Sequence, residues 1–102
     1  MFVIKYDETF KRGYKRVMRR YPHLKDEFRA AVLELAESGT LSDHYHPHEL
    51  ANPGGNYNGH IDFRLSSGKV DVVVLYLPHG SNPQIRLVRM GTHDELFRGP
   101  VK

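Results

Sequence analysis

Apolar and polar positions along this 102-residue chain follow a helical period first and a strand period later. Phe2-Val3-Ile4-Lys5-Tyr6 is a short β-branched and aromatic run that predicts a strand. Asp7 then stands at an N-cap position, and Glu8 suits a first helical turn. Phe10, Tyr14, Val17 and Tyr21 recur at i, i+4, i+7 and i+11, one face of a helix that Pro22 ends. Leu24, Phe28, Ala31 and Leu35 repeat the spacing in a second helix that stops near Ser38-Gly39. So short a connection makes the pair an αα-hairpin.

Residues 40–59 are polar and rich in Pro, Gly, Asn and His, which predicts a long loop of functional character. The period then drops to two. Ile61, Phe63 and Leu65 alternate with His60, Asp62 and Arg64. Ser66-Ser67-Gly68-Lys69 predicts a hairpin turn. Residues 70–77, apolar on both faces, predict a central strand, residues 78–83 a turn, and residues 84–90 a last strand. The expected fold is α+β: an N-terminal strand and αα-hairpin packed on one face of a small, mostly antiparallel four-stranded sheet, with a short C-terminal helix. Residues 1–102 read as a single domain. A chain of this size buries roughly 60–70% of its unfolded surface, enough for one core.

Parity assigns the faces. With Ile61, Phe63 and Leu65 under the helices, His60, Asp62 and Arg64 turn to the other side. With Val72, Val74 and Tyr76 buried, Asp71 joins Val73 and Leu75 there. With Val88 and Met90 buried, Arg89 joins Ile85 and Leu87 on that same open face, which is then polar at one end and apolar at the other. Such a surface invites a ligand or partner.

Composition narrows the classes. No stretch is long and apolar enough to span a bilayer, and the first residues lack the pattern of a secretory signal. The absence of cysteine excludes disulfides and thiolate zinc sites. These features agree with a cytoplasmic protein. The formal charge of +3 and a pI near 9.3 are only mildly basic, but the distribution is uneven. Nine of the fifteen basic residues fall between Lys5 and Arg29, against Asp7, Glu8, Asp26 and Glu27. Lys11, Lys15 and Arg19 form one helical row, and Arg12, Arg16 and Arg20 another. Like charges at i, i+4 repel by a few tenths of a kcal/mol, so a helix that carries both rows suits a polyanionic partner.

The C-terminal third carries the candidate chemistry. Arg89-Met90-Gly91-Thr92-His93 delivers a guanidinium and an imidazole four residues apart at the exit of a strand, and His48 and His60 lie upstream. Histidine moves protons near neutrality, and arginine offers bidentate donors to phosphate. Both are what RNA cleavage needs.

These residues bring a family into view. His46-Pro47-His48-Glu49-Leu50, Tyr57-Asn58-Gly59-His60-Ile61-Asp62 and Leu87-Val88-Arg89-Met90-Gly91-Thr92-His93 through Leu96-Phe97 resemble the motifs of the YafQ branch of the RelE/ParE toxin superfamily. The likeness spans nearly the whole chain. It implies a RelE-like fold and a type II toxin that cuts messenger RNA on the ribosome, neutralised by a cognate antitoxin, without cofactor or metal. By this resemblance His48, His60, Asp71, Arg89, His93 and Phe97 fall on catalytic or RNA-positioning positions. His93 is the expected general acid, His48 or His60 the base, Arg89 the charge stabiliser, and Phe97 a platform for a base. The acidic partner is Asp62 or Asp71: where the family has an acid two residues before its second histidine, this chain has Asn58. Lys11, Lys15, Arg16, Arg19 and Arg20 are the expected RNA contacts, with an acidic antitoxin as the other ligand they suit.

Two other readings compete. ParE-like members of the superfamily act on gyrase without the histidine set, so a non-enzymatic toxin on the same scaffold is one. The other is a metal site: His44, His46 and His48 alternate and would share a face of an extended segment, with His60 completing the set.

Overall fold

The computed structural model describes residues 1–49, 59–65, 70–78, 83–92 and 96. Strand β1, Val3–Tyr6, leads into helix α1, Glu8–Arg20. A single 3-10 turn, Pro22–Leu24, connects it to α2, Lys25–Ser38. Gly39 closes α2 at φ 78°, the left-handed conformation that glycine adopts at no steric cost. A second 3-10 turn, Asp43–Tyr45, precedes β2, His48–Glu49. Then follow β3, Ile61–Arg64, β4, Val73–Pro78, and β5, Gln84–Gly91.

The sheet has five strands in the order β1-β5-β4-β3-β2, one more than the alternation predicts. The added strand is the two-residue β2, too short to leave a period, which pairs antiparallel with β3. Only β1 runs parallel to its neighbour, β5. The predicted turns at residues 66–69 and within 79–82 lie outside the described residues.

The helices cover one face as their spacing requires. Phe10, Val17, Leu24, Phe28, Ala31 and Leu35 are buried against Phe63, Leu65, Val72, Val74 and Tyr76. Tyr45 and Leu41, from the long polar segment, plug the same core. Tyr45 meets the Phe63 ring edge-on at 5.9 Å, so the start of this segment, through Tyr45, is anchored on the core.

Parity fails on β5, and the failure is instructive. Ile85, Leu87 and Met90 face the helices, whereas Val88 belongs to a separate cluster on the outer face with Val73, Leu75 and Leu96. The cause is a β-bulge: Tyr76 pairs with Leu87 and Leu75 with Arg89, so Val88 is skipped. The expectation that Ile85 and Leu87 share a face with Arg89 is therefore corrected. The apolar end of the outer face is not open either, because Val73 and Leu75 are fully buried and Leu96 packs on their cluster.

Helix α1 is fastened along β5. Asp7 caps no helical amide with its side chain; its carboxylate pairs with Arg86 at 3.1 Å. The Thr9 hydroxyl donates to the Val88 carbonyl at 2.7 Å. At Gly13 a Cβ would collide with the Met90 carbonyl. Gly13→Ala should lower the free energy of unfolding by about 2 kcal/mol, because overpacking against backbone exceeds the roughly 1 kcal/mol that alanine gains in a helix. Urea titration measures it.

Burial pushes the Tyr76 phenol up to about 12. Burial also raises Tyr45, with Glu34 and Glu27 adding to it. Below pH 10 the Tyr76 phenol is neutral in both folded and unfolded chains. Between pH 10 and 12 the unfolded chain releases a proton that the folded chain keeps, so stability falls as pH rises. Tyr76→Phe should shallow that fall, read from urea midpoints across the window.

Candidate functional site on the outer face of the sheet

The face opposite the helices gathers chemistry in one line. His48 on β2 pairs across from Asp62 on β3, Asp62 from Leu75 on β4, and Leu75 from Arg89 on β5. Paired residues point to the same side, and strands stand ~4.8 Å apart, so the Asp62 and Arg89 backbones are ~10 Å apart and His48 lies one strand further out. His60 precedes β3 by one residue and is partly buried. Its Nδ1 and the Asp62 Oδ1 are both sealed from solvent.

Asp62 is the one buried charged side chain among the described residues, at 6% exposure. Sinking a carboxylate is costly without compensation; in the register Asp62 lies one strand from His48 and two from Arg89. His60, Asp62, Asp71 and Arg89 each engage at least one neighbouring group. Arg89 is partly buried and His48 exposed, so the row passes from an open edge into the body of the sheet.

Asp71 is exposed and stands outside the row, two residues before Val73. Val73 pairs with Gly91, so Asp71 lies at the end of the sheet where the chain leaves β5 through Thr92. The two candidate acids therefore occupy different places: Asp62 stands in the row, one strand from His48 and two from Arg89, and Asp71 at the end of the sheet where the chain leaves β5 through Thr92. His93 and Phe97 lie outside the described residues. Of the expected C-terminal helix, Leu96 is described; it is helical, and its amide donates to the Thr92 carbonyl at 3.1 Å.

Arg64 is the residue the sequence reading passed over. It pairs with Val73, so it shares the outer face one register step from the Asp62–Leu75–Arg89 line. It is partly buried and makes no ion pair among the described residues. Alternation already put it on this face; what it lacked was a motif.

The proposed metal set loses its premise. His44 belongs to a 3-10 turn with its ring 4.0 Å from that of Tyr45, and His46 sits at φ 52°. The segment is not extended, so the three histidines do not alternate on one face. Among the described residues no three metal-ligating side chains converge.

The basic rows are exposed as expected. Lys11 binds Glu8 at 3.0 Å, and Arg20 lies over the Tyr21 ring at 5.4 Å. No helix among the described residues is long and apolar enough to cross a membrane.

The family model for YafQ, the bacterial toxin of a type II toxin–antitoxin system, matches residues 2–98. The chain belongs to the YafQ toxin family. Solved structures agree on the fold. The crystal structure of YafQ from E. coli strain BL21(DE3) is 21% identical over 95% of this chain and 99% of its own, with a TM-score of 0.71. A metal-bound toxin from Helicobacter pylori is 27% identical over 95% of this chain and 100% of its own, with a TM-score of 0.72. YafQ in the E. coli DinJ-YafQ complex is 20% identical over 95% and 99%, with a TM-score of 0.67. No curated protein sequence matches the chain significantly.

Leu96 is fully buried on the outer cluster and ties the segment after β5 to the sheet. Leu96→Ala should cost about 2–4 kcal/mol of stability, the usual range for an emptied core leucine. Thermal or urea unfolding tests this, and a change under 0.5 kcal/mol would mean the segment is not held there.

Proposed function

We propose that this toxin is an endoribonuclease that cuts messenger RNA on the ribosome. The observation that supports the reading is the row His48–Asp62–Leu75–Arg89, in which an imidazole, a carboxylate and a guanidinium share one face opposite the helices. RNA supplies its own nucleophile. The 2′-OH loses its proton to a base, attacks the adjacent phosphorus, and expels the 5′-oxygen, which an acid protonates. The products are a 2′,3′-cyclic phosphate and a free 5′-hydroxyl.

In this scheme His48 or His60 is the base and His93 the acid. Asp62 would orient the first imidazole, and Asp71 is the candidate acid for the second. Arg89 binds the nonbridging oxygens as charge builds on the phosphorane, with Arg64 as a second cation one step along the strand. Phe97 would stack on a base. Lys11, Lys15, Arg16, Arg19 and Arg20, exposed along α1, are offered to ribosomal RNA. In E. coli, YafQ is found with DinJ in a toxin–antitoxin complex; a cognate antitoxin for this chain follows by analogy.

Expression without a partner should arrest bacterial growth, and mapping of 5′ ends should show cuts within translated reading frames. Arg89→Ala and His93→Gln should each slow cleavage at least about 100-fold, the lower bound for losing a charge stabiliser or a general acid. Intact transcripts in arrested cells would overturn the reading and favour a ParE-like, non-enzymatic toxin.

A further inference from the structure

The scissile phosphate takes one guanidinium, Arg89, and the outer face carries a second. Arg64 sits between Phe63 and Leu65, both fully buried under the helices, so alternation fixes its Cβ on the outer face. In register Arg64 pairs with Val73, and Val73 with Gly91. This is a second row, one step toward the end of the sheet from His48–Asp62–Leu75–Arg89. The step is two residues, ~7 Å along the strands; with two strand spacings added, the Arg64 and Arg89 backbones are ~12 Å apart. Between them lie Val73 and Leu75, fully buried and part of the apolar cluster that Leu96 joins. Arg64 is partly buried, and among the described residues it makes no ion pair. A sheltered guanidinium is costly unless an anion faces it, and its planar fork matches the oxygens of a phosphate.

We propose that Arg64 binds the phosphate next to the scissile one, so that the RNA strand is held at two successive phosphates, one over each row. The proposal rests on the ribonuclease reading and adds the register of the substrate on the sheet. A base and a charge stabiliser must meet on one phosphodiester, and His48 and Arg89 share a row. Arg64 stands off that row by about one nucleotide of an extended strand. Its row mates, Val73 and Gly91, bring no titratable group, so this position offers charge without proton transfer. A contact of that kind is made equally in the ground and transition states, and it acts on KM rather than kcat. Phosphate contacts position a strand and carry no base information, so Arg64 sets where the RNA lies and leaves the choice of sequence to other contacts.

The test is cleavage of a synthetic messenger RNA on ribosomes by the full chain, with kcat and KM measured separately. Arg64→Gln should raise KM about 10- to 100-fold, the worth of hydrogen bonding to a charged group, and change kcat by less than about threefold. The slope of log KM against log salt should become shallower by about 0.7, one phosphate's share for a single strand. Arg64→Lys, which keeps the charge but not the fork, should recover part of the loss. A neutral methylphosphonate at one of the two phosphates flanking the cleavage site should raise the wild-type KM by a similar factor, and on that messenger Arg64→Gln should add less than about threefold. This coupling separates contact from folding, since a poorly folded variant loses the same factor on either messenger. If Arg64→Gln lowers kcat and leaves KM unchanged, Arg64 acts on the scissile phosphate and the proposal is overturned. If neither constant changes, or the losses multiply at both flanking positions, the proposal is overturned while the ribonuclease reading stands. If the wild-type chain leaves ribosome-bound messenger intact, the ribonuclease reading fails and this inference falls with it.

Discussion

Everything on the outer face depends on how closely α1 lies on β5. A helix can reach a strand's backbone only where a side chain is missing, and Gly13 supplies that gap against the Met90 carbonyl. Two residues upstream on the strand, the bulge leaves Val88 outside the ladder, and its carbonyl needs another donor. The Thr9 hydroxyl, one turn before Gly13, provides it. An unmade bond at a buried carbonyl costs about 1–3 kcal/mol. Helix and bulge therefore stabilise one another: the close approach brings Thr9 to the strand, and Thr9 satisfies the irregularity. The Asp7–Arg86 pair fixes the entry to the same seam.

The bulge changes which side chains face where. Without the extra residue, Ile85, Leu87 and Arg89 would share a face and the guanidinium would point under the helices. With it, Ile85 and Leu87 stay in the core while Val88 and Arg89 both turn outward. A one-residue slip reverses every side chain beyond it, so one skipped position both builds the second cluster around Val88 and aligns Arg89 with Asp62 and His48. The row is carried on paired strands, which hold geometry more tightly than loops.

Much of this was legible in the sequence because it followed a period. The two helices, their boundaries at Pro22 and Gly39, and the burial of Phe63, Val74 and Tyr76 came from spacing alone. The motifs around His48, His60 and Arg89 named the family correctly. The bulge was not legible, because a skipped residue looks like any other in an apolar run. Its two signals were local: a glycine inside an amphipathic helix, and a threonine at that helix's first turn. β2 was hidden because two residues make no pattern. Asp62 read as an open polar position because alternation gives the face of a residue but not what covers it; Leu96, far along the chain, closes the neighbouring surface.

The economy of the site also bears on why, on the proposed reading, the ribosome is needed. Acid–base groups contribute roughly a hundred- to ten-thousandfold each, and a preorganised charge about as much again. The remaining requirement is alignment: the 2′-oxygen, phosphorus and leaving oxygen must lie in line, and that ordering is worth effective molarities of about 10⁵ M or more. Among the described residues a groove of about 540 Å³ lies on the helical side, and the histidine and arginine row stands on the opposite face. On the proposed reading, a substrate already held in the decoding groove would arrive with that entropy removed, leaving a small sheet to present only a few groups in a line.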